Sequence, residues 1–178
     1  MSPDLEKKLF EEYPKIFADT NKSPQESCMA FGLECDDGWY YLIDLLCEAL
    51  TYTFTTAVEI DEEDGKRLGI EPSGWKEEEK DRYFFKVEAP QVVADQVKEK
   101  FGTLRFYVSG ATDRHYNYIE FAELMSSKVC EECGAPGETY PIGWHQTLCE
   151  KHADERYGEQ AAEYRNKTGV WADDEGDE

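Results

Sequence analysis

Four residues in the C-terminal third carry the spacing of a metal site. Cys130 and Cys133 stand in "CEECG", and Cys149 and His152 in "LCEKH", which together read C-x2-C-x15-C-x2-H. Two ligands separated by two residues grip one ion when a tight turn points both side chains inward. Gly134, directly after the second cysteine, supplies the backbone angle such a turn needs. Cys149 and His152 are three apart at the start of a helical pattern, so both project from one face of its first turn. The segment between the pairs, "APGETYPIGWHQT", predicts a hairpin. A turn pair, a hairpin and a helix-start pair make a treble-clef-like module. Four protein ligands fill a tetrahedral zinc and leave no position for water or substrate, so the pattern predicts one structural zinc ion. Iron is the alternative for a thiolate-rich set, and zinc the usual occupant. His145 competes as a ligand, but it lies four residues before Cys149, inside the expected hairpin.

Catalytic metal chemistry needs residues that are missing. Nucleotide deaminases use H-x-E followed by P-C-x-x-C. Here no His-x-Glu precedes Cys130, and Val129 stands at the proline position. The metalloprotease H-E-x-x-H is absent. His115 and His145 do not supply the second metal site of a treble-clef nuclease. No phosphate-cradling glycine loop, Ser/His/Asp set or paired-carboxylate motif stands out.

Three other groups have chemical potential. Residues 98–114, "KEKFGTLRFYVSGATDR", are locally basic, and Lys98, Lys100, Arg105 and Arg114 form a candidate anion-binding set, since arginine suits phosphate bidentately. The plain alternative is a solvated strand face whose cations answer nearby acids. Cys28 and Cys35 lack two further ligands nearby and read as packed small hydrophobes. Trp39 and Trp144 read as packing residues, and Trp75, in a charged stretch, as a candidate exposed anchor.

These groups need elements to position them. Residues 4–18 predict a helix with Leu5, Leu9 and Phe10 on one face, broken or kinked at Pro14. Residues 19–36 read as loop. The main core helix follows, capped by Asp36 or Asp37, with Trp39, Leu42, Ile43, Leu46, Leu50 and Phe54 at helical spacing. Residues 57–81 are a charged excursion containing "EIDEED". "RYFFKVE" alternates as a strand. Pro90, Val93, Val97 and Phe101 then predict a helix stopped by Gly102, and "TLRFYV" a second strand. A helix over 113–128 turns Tyr118, Ala122 and Met125 inward, and a last helix from about Cys149 packs Ala153, Tyr157, Ala161 and Tyr164.

The fold class expected is therefore α+β: a single domain with a β-α-β unit packed on helices and a C-terminal treble-clef-like zinc module. Its parts are a core over 1–127 with 57–81 as a charged loop insertion, the zinc module over 128–165, and an acidic disordered tail over 166–178.

The 178 residues include 40% hydrophobic and 13% aromatic side chains, enough for a core. No apolar run is long enough to span a membrane, and the N-terminus lacks signal-peptide features, so a cytoplasmic chain is expected. Six cysteines in that compartment favour metal binding or buried thiols over disulfides. Nineteen basic against 40 acidic residues leave a net charge of −21. Such a field repels phosphate backbones, which excludes direct nucleic-acid binding and leaves solubility or attraction to a basic partner.

At "FGLECDDGWYYLIDLLCEAL", "VKEKFGTLRFYVSG" and "CEECGAPGETYPIGWHQTLCEKHAD" the chain resembles small uncharacterised proteins of tailed-phage and prophage genomes. The likeness runs over roughly residues 13–155, in the same order, and the last block is the most specific. The acidic excursion and the tail after 165 look peculiar to this member. The resemblance implies a phage setting and a zinc-binding end, but no reaction. The function expected is a non-enzymatic phage accessory protein, in the cytoplasm of the host cell, that binds a host or defence protein. One version has its acidic surface mimic DNA in the basic groove of a nucleic-acid enzyme. The alternative is a small-molecule or nucleotide binder, or an enzyme, that uses the 98–114 stretch with the zinc purely structural.

Overall fold

The computed structural model describes residues 1–51 and 90–169, together with the backbone of 54–59 and 82–87. The remainder of the charged excursion, including Trp75, and the tail from Val170 lie outside the described residues. The chain divides into two compact units, Thr51–Pro90 and the rest. In the smaller unit, β2 (Phe54–Glu59) pairs antiparallel with β3 (Arg82–Val87), Phe54 opposite Val87.

The larger unit is α+β, with five helices and a small mixed sheet among the described residues. Helix α1 (Pro3–Glu12) buries Leu9 and stops before Pro14. Residues 18–21 and 28–31 form 3-10 turns rather than open loop, and β1 (Leu33–Glu34) follows. A 3-10 turn over Asp37–Trp39 leads into α2 (Tyr40–Thr51), which buries Ile43, Leu46, Cys47 and Leu50. Phe54, expected on this helix, belongs to β2.

Among the described residues the expected β-α-β unit is absent. Residues 93–100, predicted as a helix, form strand β4 (Val93–Lys100), which turns at Phe101 and Gly102 into antiparallel β5 (Thr103–Ser109). An irregularity in register between Ala94 and Gln96 explains the misreading. One extra residue in a strand makes consecutive inward positions three apart instead of two. Ala94 and Val97 both face the core, so the alternation of a strand is broken, and of the residues that predicted the helix Val97 is buried, Val93 only partly so and Phe101 exposed. Strand β1 runs parallel to β4, giving the sheet order β1-β4-β5. Leu33, Ala94, Val97, Leu104 and Phe106 from the sheet join Leu9, Ile16, Phe17, Met29, Trp39 and the buried residues of α2 in one core.

Helix α3 (Asp113–Ser126) begins at a capping box. Thr112 accepts from the His115 N–H, and His115 Nδ1 accepts from the Thr112 N–H. Burial, and then the nearby Arg114, hold the His115 pKa below its ordinary value. The inward face of α3 is His115, Ile119, Ala122 and Ser126, so Met125, expected inside, is exposed and Tyr118 is only partly buried. This helix closes the open edge of the sheet. Leu104 N–H donates to Ser126 Oγ at 2.8 Å, and Phe106 N–H to Glu123 Oε1 at 3.0 Å. Strand edges left unpaired invite pairing with other chains, and these two side chains remove that opportunity along β5.

Strands β6 (Glu138–Tyr140) and β7 (Gln146–Leu148) form an antiparallel hairpin. The expected last helix is two: Gly158, at φ 56°, divides α4 (Glu150–Tyr157) from α5 (Glu159–Thr168). Arg165 ties them, its guanidinium reaching Asp154 at 2.7 Å and Tyr140 Oη at 3.5 Å. Cys130, Tyr140, Leu148, Ala153 and Ala161 make a second small core, with Tyr157 and Tyr164 packed against it. Helix α5 runs to Thr168, into the stretch expected as tail, and Gly169 caps it.

Candidate metal centre

The metal ligands predicted from spacing converge. Cys130 and Cys133 sit on a turn that starts after Val129, which bridges to Pro136. Gly134 N–H donates to Cys130 C=O at 2.8 Å and closes the turn, with Gly134 at φ 77°. A side chain is disfavoured at that angle, as expected from its position after the second cysteine. Hairpin β6–β7 then returns the chain, and Cys149 becomes the N-cap of α4. The helix's first turn carries His152, as the three-residue spacing requires.

All four donor atoms lie within 4.8 Å of one another. Cys133 Sγ and Cys149 Sγ are 3.9 Å apart, and His152 Nδ1 is 3.3 Å from Cys130 Sγ and 3.4 Å from Cys149 Sγ. A tetrahedral ion with metal–sulfur bonds of about 2.3 Å requires sulfur–sulfur edges of about 3.8 Å and slightly shorter sulfur–nitrogen edges. These three separations fit both. Disulfide bonding is excluded by the same distances, and all six cysteines are free thiols. Burial pushes the Cys130 thiol up to about 12, while the backbone N–H groups of Cys149, Cys133 and Glu132 pull it down. A thiolate buried there without a cation beside it is unfavourable, and a divalent ion supplies that cation. Among the described residues this is the one group of three or more His, Cys, Asp or Glu side chains so arranged.

The turn is joined to the start of the core helix. Gly38 N–H donates to Glu131 C=O at 2.7 Å, and the Trp39 indole N–H to Val129 C=O at 2.8 Å. Asp36 N–H reaches Glu131 Oε1 at 3.2 Å, while Glu131 N–H donates to Thr147 C=O at 2.9 Å. The site is thus connected to α2 on one side and to β7 on the other.

Of the candidate anion set, Lys98 and Arg105 face each other across β4 and β5, and Lys100 follows on the same face of β4. Arg105 is engaged internally, by Thr103 Oγ1 and Leu104 C=O at 2.7 Å each and by Glu123 at 3.7 Å. Lys98 and Lys100 lie over the Tyr107 and Phe101 rings, 5.8 and 5.5 Å from the centroids. Arg114 is on another element, in the first turn of α3. His145 is no part of the metal group and packs edge-on against Phe101. Cys35 is buried, its thiol pushed up to about 12 by desolvation, whereas Cys28 is exposed.

Sequence reasoning missed one surface. Trp39 is fully buried, as a packing residue should be, but Trp144 is 66% exposed and stacks on Phe101, itself 58% exposed. The available signal was Phe-Gly directly before the alternating stretch of β5, a two-residue hairpin turn with an aromatic at a position that favours asparagine. No family model, curated protein or solved structure matches the chain.

Proposed function

We propose that this chain is a non-enzymatic accessory protein that binds another protein, and that one structural zinc ion fixes its recognition end. Cys130, Cys133, Cys149 and His152 hold the zinc in a treble-clef-like arrangement of turn, hairpin and helix start. The observation that supports the zinc is that four protein donor atoms gather within 4.8 Å of one another, three of their separations, at 3.3, 3.4 and 3.9 Å, being those of tetrahedron edges. A site closed in this way offers no coordination position for substrate, so the ion's contribution is to structure.

The resemblance supplies the biological setting of the proposal: a phage-encoded protein in the cytoplasm of its host, directed at a host or defence protein. The net charge of −21 supports a partner with a basic, nucleic-acid-binding surface, approached through long-range attraction, and argues against direct binding of nucleic acid. Mimicry of DNA by the acidic surface is the specific form of that idea. The small-molecule alternative loses support, because Arg105, its best anion ligand, is occupied by Glu123, Thr103 and Leu104.

Elemental analysis of purified protein is expected to give one zinc per chain, and Cys149→Ser to lower this sharply together with thermal stability. A metal-free protein with an unchanged melting curve overturns the structural zinc. A turnover activity lost in Cys149→Ser while the C-terminal helices stay folded overturns the non-enzymatic reading.

A further inference from the structure

The three cysteines of the metal group are unequally exposed. Cys130 is fully buried in the second small core, Cys149 is half-buried at the N-cap of α4, and Cys133 is exposed. A closed tetrahedron leaves no coordination position for substrate, yet it does not hide its ligands from solvent. Thiolate, rather than thiol, is the form that binds zinc and the form that reacts with oxidants. Cys133 therefore presents a deprotonated sulfur to solvent whenever the site is loaded.

The partner needed to complete an oxidation is in place. Cys149 Sγ lies 3.9 Å from Cys133 Sγ, and a disulfide is about 2.05 Å long, so closure requires an approach of roughly 2 Å. Cys133 is on an exposed turn and Cys149 precedes the first helical residue of α4, so side chains and the turn make that movement. Cys130 is the poorer second thiol, being buried and held by the backbone N–H groups of Cys149, Cys133 and Glu132. Of the cysteines outside the group, Cys35 and Cys47 are buried in the main core, and Cys28 is exposed. Charge selects the oxidant. A net charge of −21 opposes anionic oxidants such as glutathione disulfide, and the turn itself carries two carboxylates, Glu131 and Glu132, the second paired with Arg156 at 2.9 Å. Hydrogen peroxide is small and uncharged and meets no such barrier.

We propose that Cys133 is a peroxide-reactive modification site, and that its oxidation, completed by Cys149, releases the metal from the recognition end. This rests on the structural zinc proposed above and adds a redox control to it. In the first step the Cys133 thiolate attacks one peroxide oxygen, the O–O bond breaks, and a sulfenic acid and a hydroxide form. In the second the Cys149 thiolate attacks the Cys133 sulfur, the S–O bond breaks, and a disulfide and a second hydroxide form. The two thiolates lose two electrons, one peroxide gains them, and the hydroxides take protons from solvent to become water. Cys130 and His152 then remain as two ligands for an ion that needs four. The disulfide closes a loop of 15 intervening residues and keeps the turn beside the start of α4, so reduction regenerates the ligand set. A single cross-link of that size stabilises less than a structural zinc ion, so the oxidised end is weakened as well as emptied.

The test uses the full chain with Cys28→Ser, which removes the other exposed thiol, purified under reducing conditions and treated with a small molar excess of hydrogen peroxide. Released zinc is separated by desalting and measured by elemental analysis, and the thiols are assigned by peptide mapping. Zinc in the untreated protein is read first, and its absence sinks the structural zinc and the redox control together. With zinc present, one ion is expected to be lost for each Cys133–Cys149 disulfide formed. The melting temperature should fall by more than about 5 °C, and both changes should reverse with dithiothreitol and added zinc. Dimedone present during the reaction should label Cys133. Zinc retained after peroxide treatment overturns the redox control and leaves the structural zinc standing. A dimedone label on Cys130 or Cys149, a disulfide that includes Cys130, sulfinic acid without a disulfide, an unchanged melting temperature, or a loss that reduction does not reverse overturns it as well.

Discussion

Gly38 has no room for a methyl group. A Cβ there would lie 2.2 Å from Cys130 O, 2.5 Å from Glu131 O and 2.5 Å from Gly134 N. All three are backbone atoms, so no rotamer change relieves the overlap, and the metal turn would have to move away from the start of the core helix. Gly38→Ala should therefore cost on the order of 3 kcal/mol, at the upper end for overpacking. In a chain of this size that is a fall of about 6–12 °C in melting temperature, read by circular dichroism. An unchanged melting curve shows that the turn and helix are not in the close contact described. Gly38 drew no notice in the sequence because its constraint comes from residues more than ninety positions away. The four candidate metal ligands were legible for the opposite reason. Each pair is local, and the geometry that makes a pair useful is written in its own spacing.

At the scale of elements, the edge of β5 is the clearest dependency. Ser126 is fully buried, and its hydroxyl accepts the Leu104 N–H. Ser126→Ala strands that donor next to the core, and leaving a buried donor unpaired costs about 1–3 kcal/mol. Ser127→Ala, one residue on, loses only a hydroxyl donated to Leu124 C=O at an exposed position and should change stability by less than about 0.5 kcal/mol. Equal effects of the two in urea unfolding would show that α3 does not cap the strand. The sequence placed α3 at 113–128 and Ala122 inside, but it put Met125 on the core side where the structure exposes it. Met125 was counted on the core side for its hydrophobicity, while His115 and Ser126, which hold the capping box and the strand edge, are polar. A pattern of apolar residues misses a helix whose buried face includes hydrogen-bonding side chains. Strand β4 failed for a geometric reason, since its bulge replaced the two-residue period by a three-residue step between Ala94 and Val97. The core helix up to Leu50 and the β5 strand were legible because their periodicity is unbroken.

For the larger unit as a whole, the joined residues decide how far loss of metal spreads. Ligand spacing alone suggests a separable module that unfolds by itself while the core around Trp39 persists. The hydrogen bonds argue otherwise. Gly38 and Asp36 N–H and the Trp39 indole all donate to the stretch Val129–Glu131, immediately around the first ligand. On the other side, Glu131 N–H holds Thr147 C=O, and Thr147 holds the β4–β5 turn through Gly102. A structural zinc ion of the kind proposed contributes roughly 10 kcal/mol or more of binding energy that doubles as folding energy. That is comparable with the entire stability of a typical domain, about 5–15 kcal/mol. Chelation should therefore release the start of α2 and the β4–β5 turn together with the C-terminal helices. A variant with Trp75, Trp144 and Trp171 replaced by Phe leaves Trp39 as the reporter. On addition of a strong chelator its emission should shift to the red in step with the loss of helical circular dichroism, and both should return on restoring zinc. Trp39 emission that stays native while amides of residues 130–168 lose hydrogen-exchange protection would establish the separable module instead. The distinction bears on function. If the two sides melt together, every part of the larger unit depends on the metal for its shape, and binding of a partner protein by that unit should disappear at the same chelator concentration.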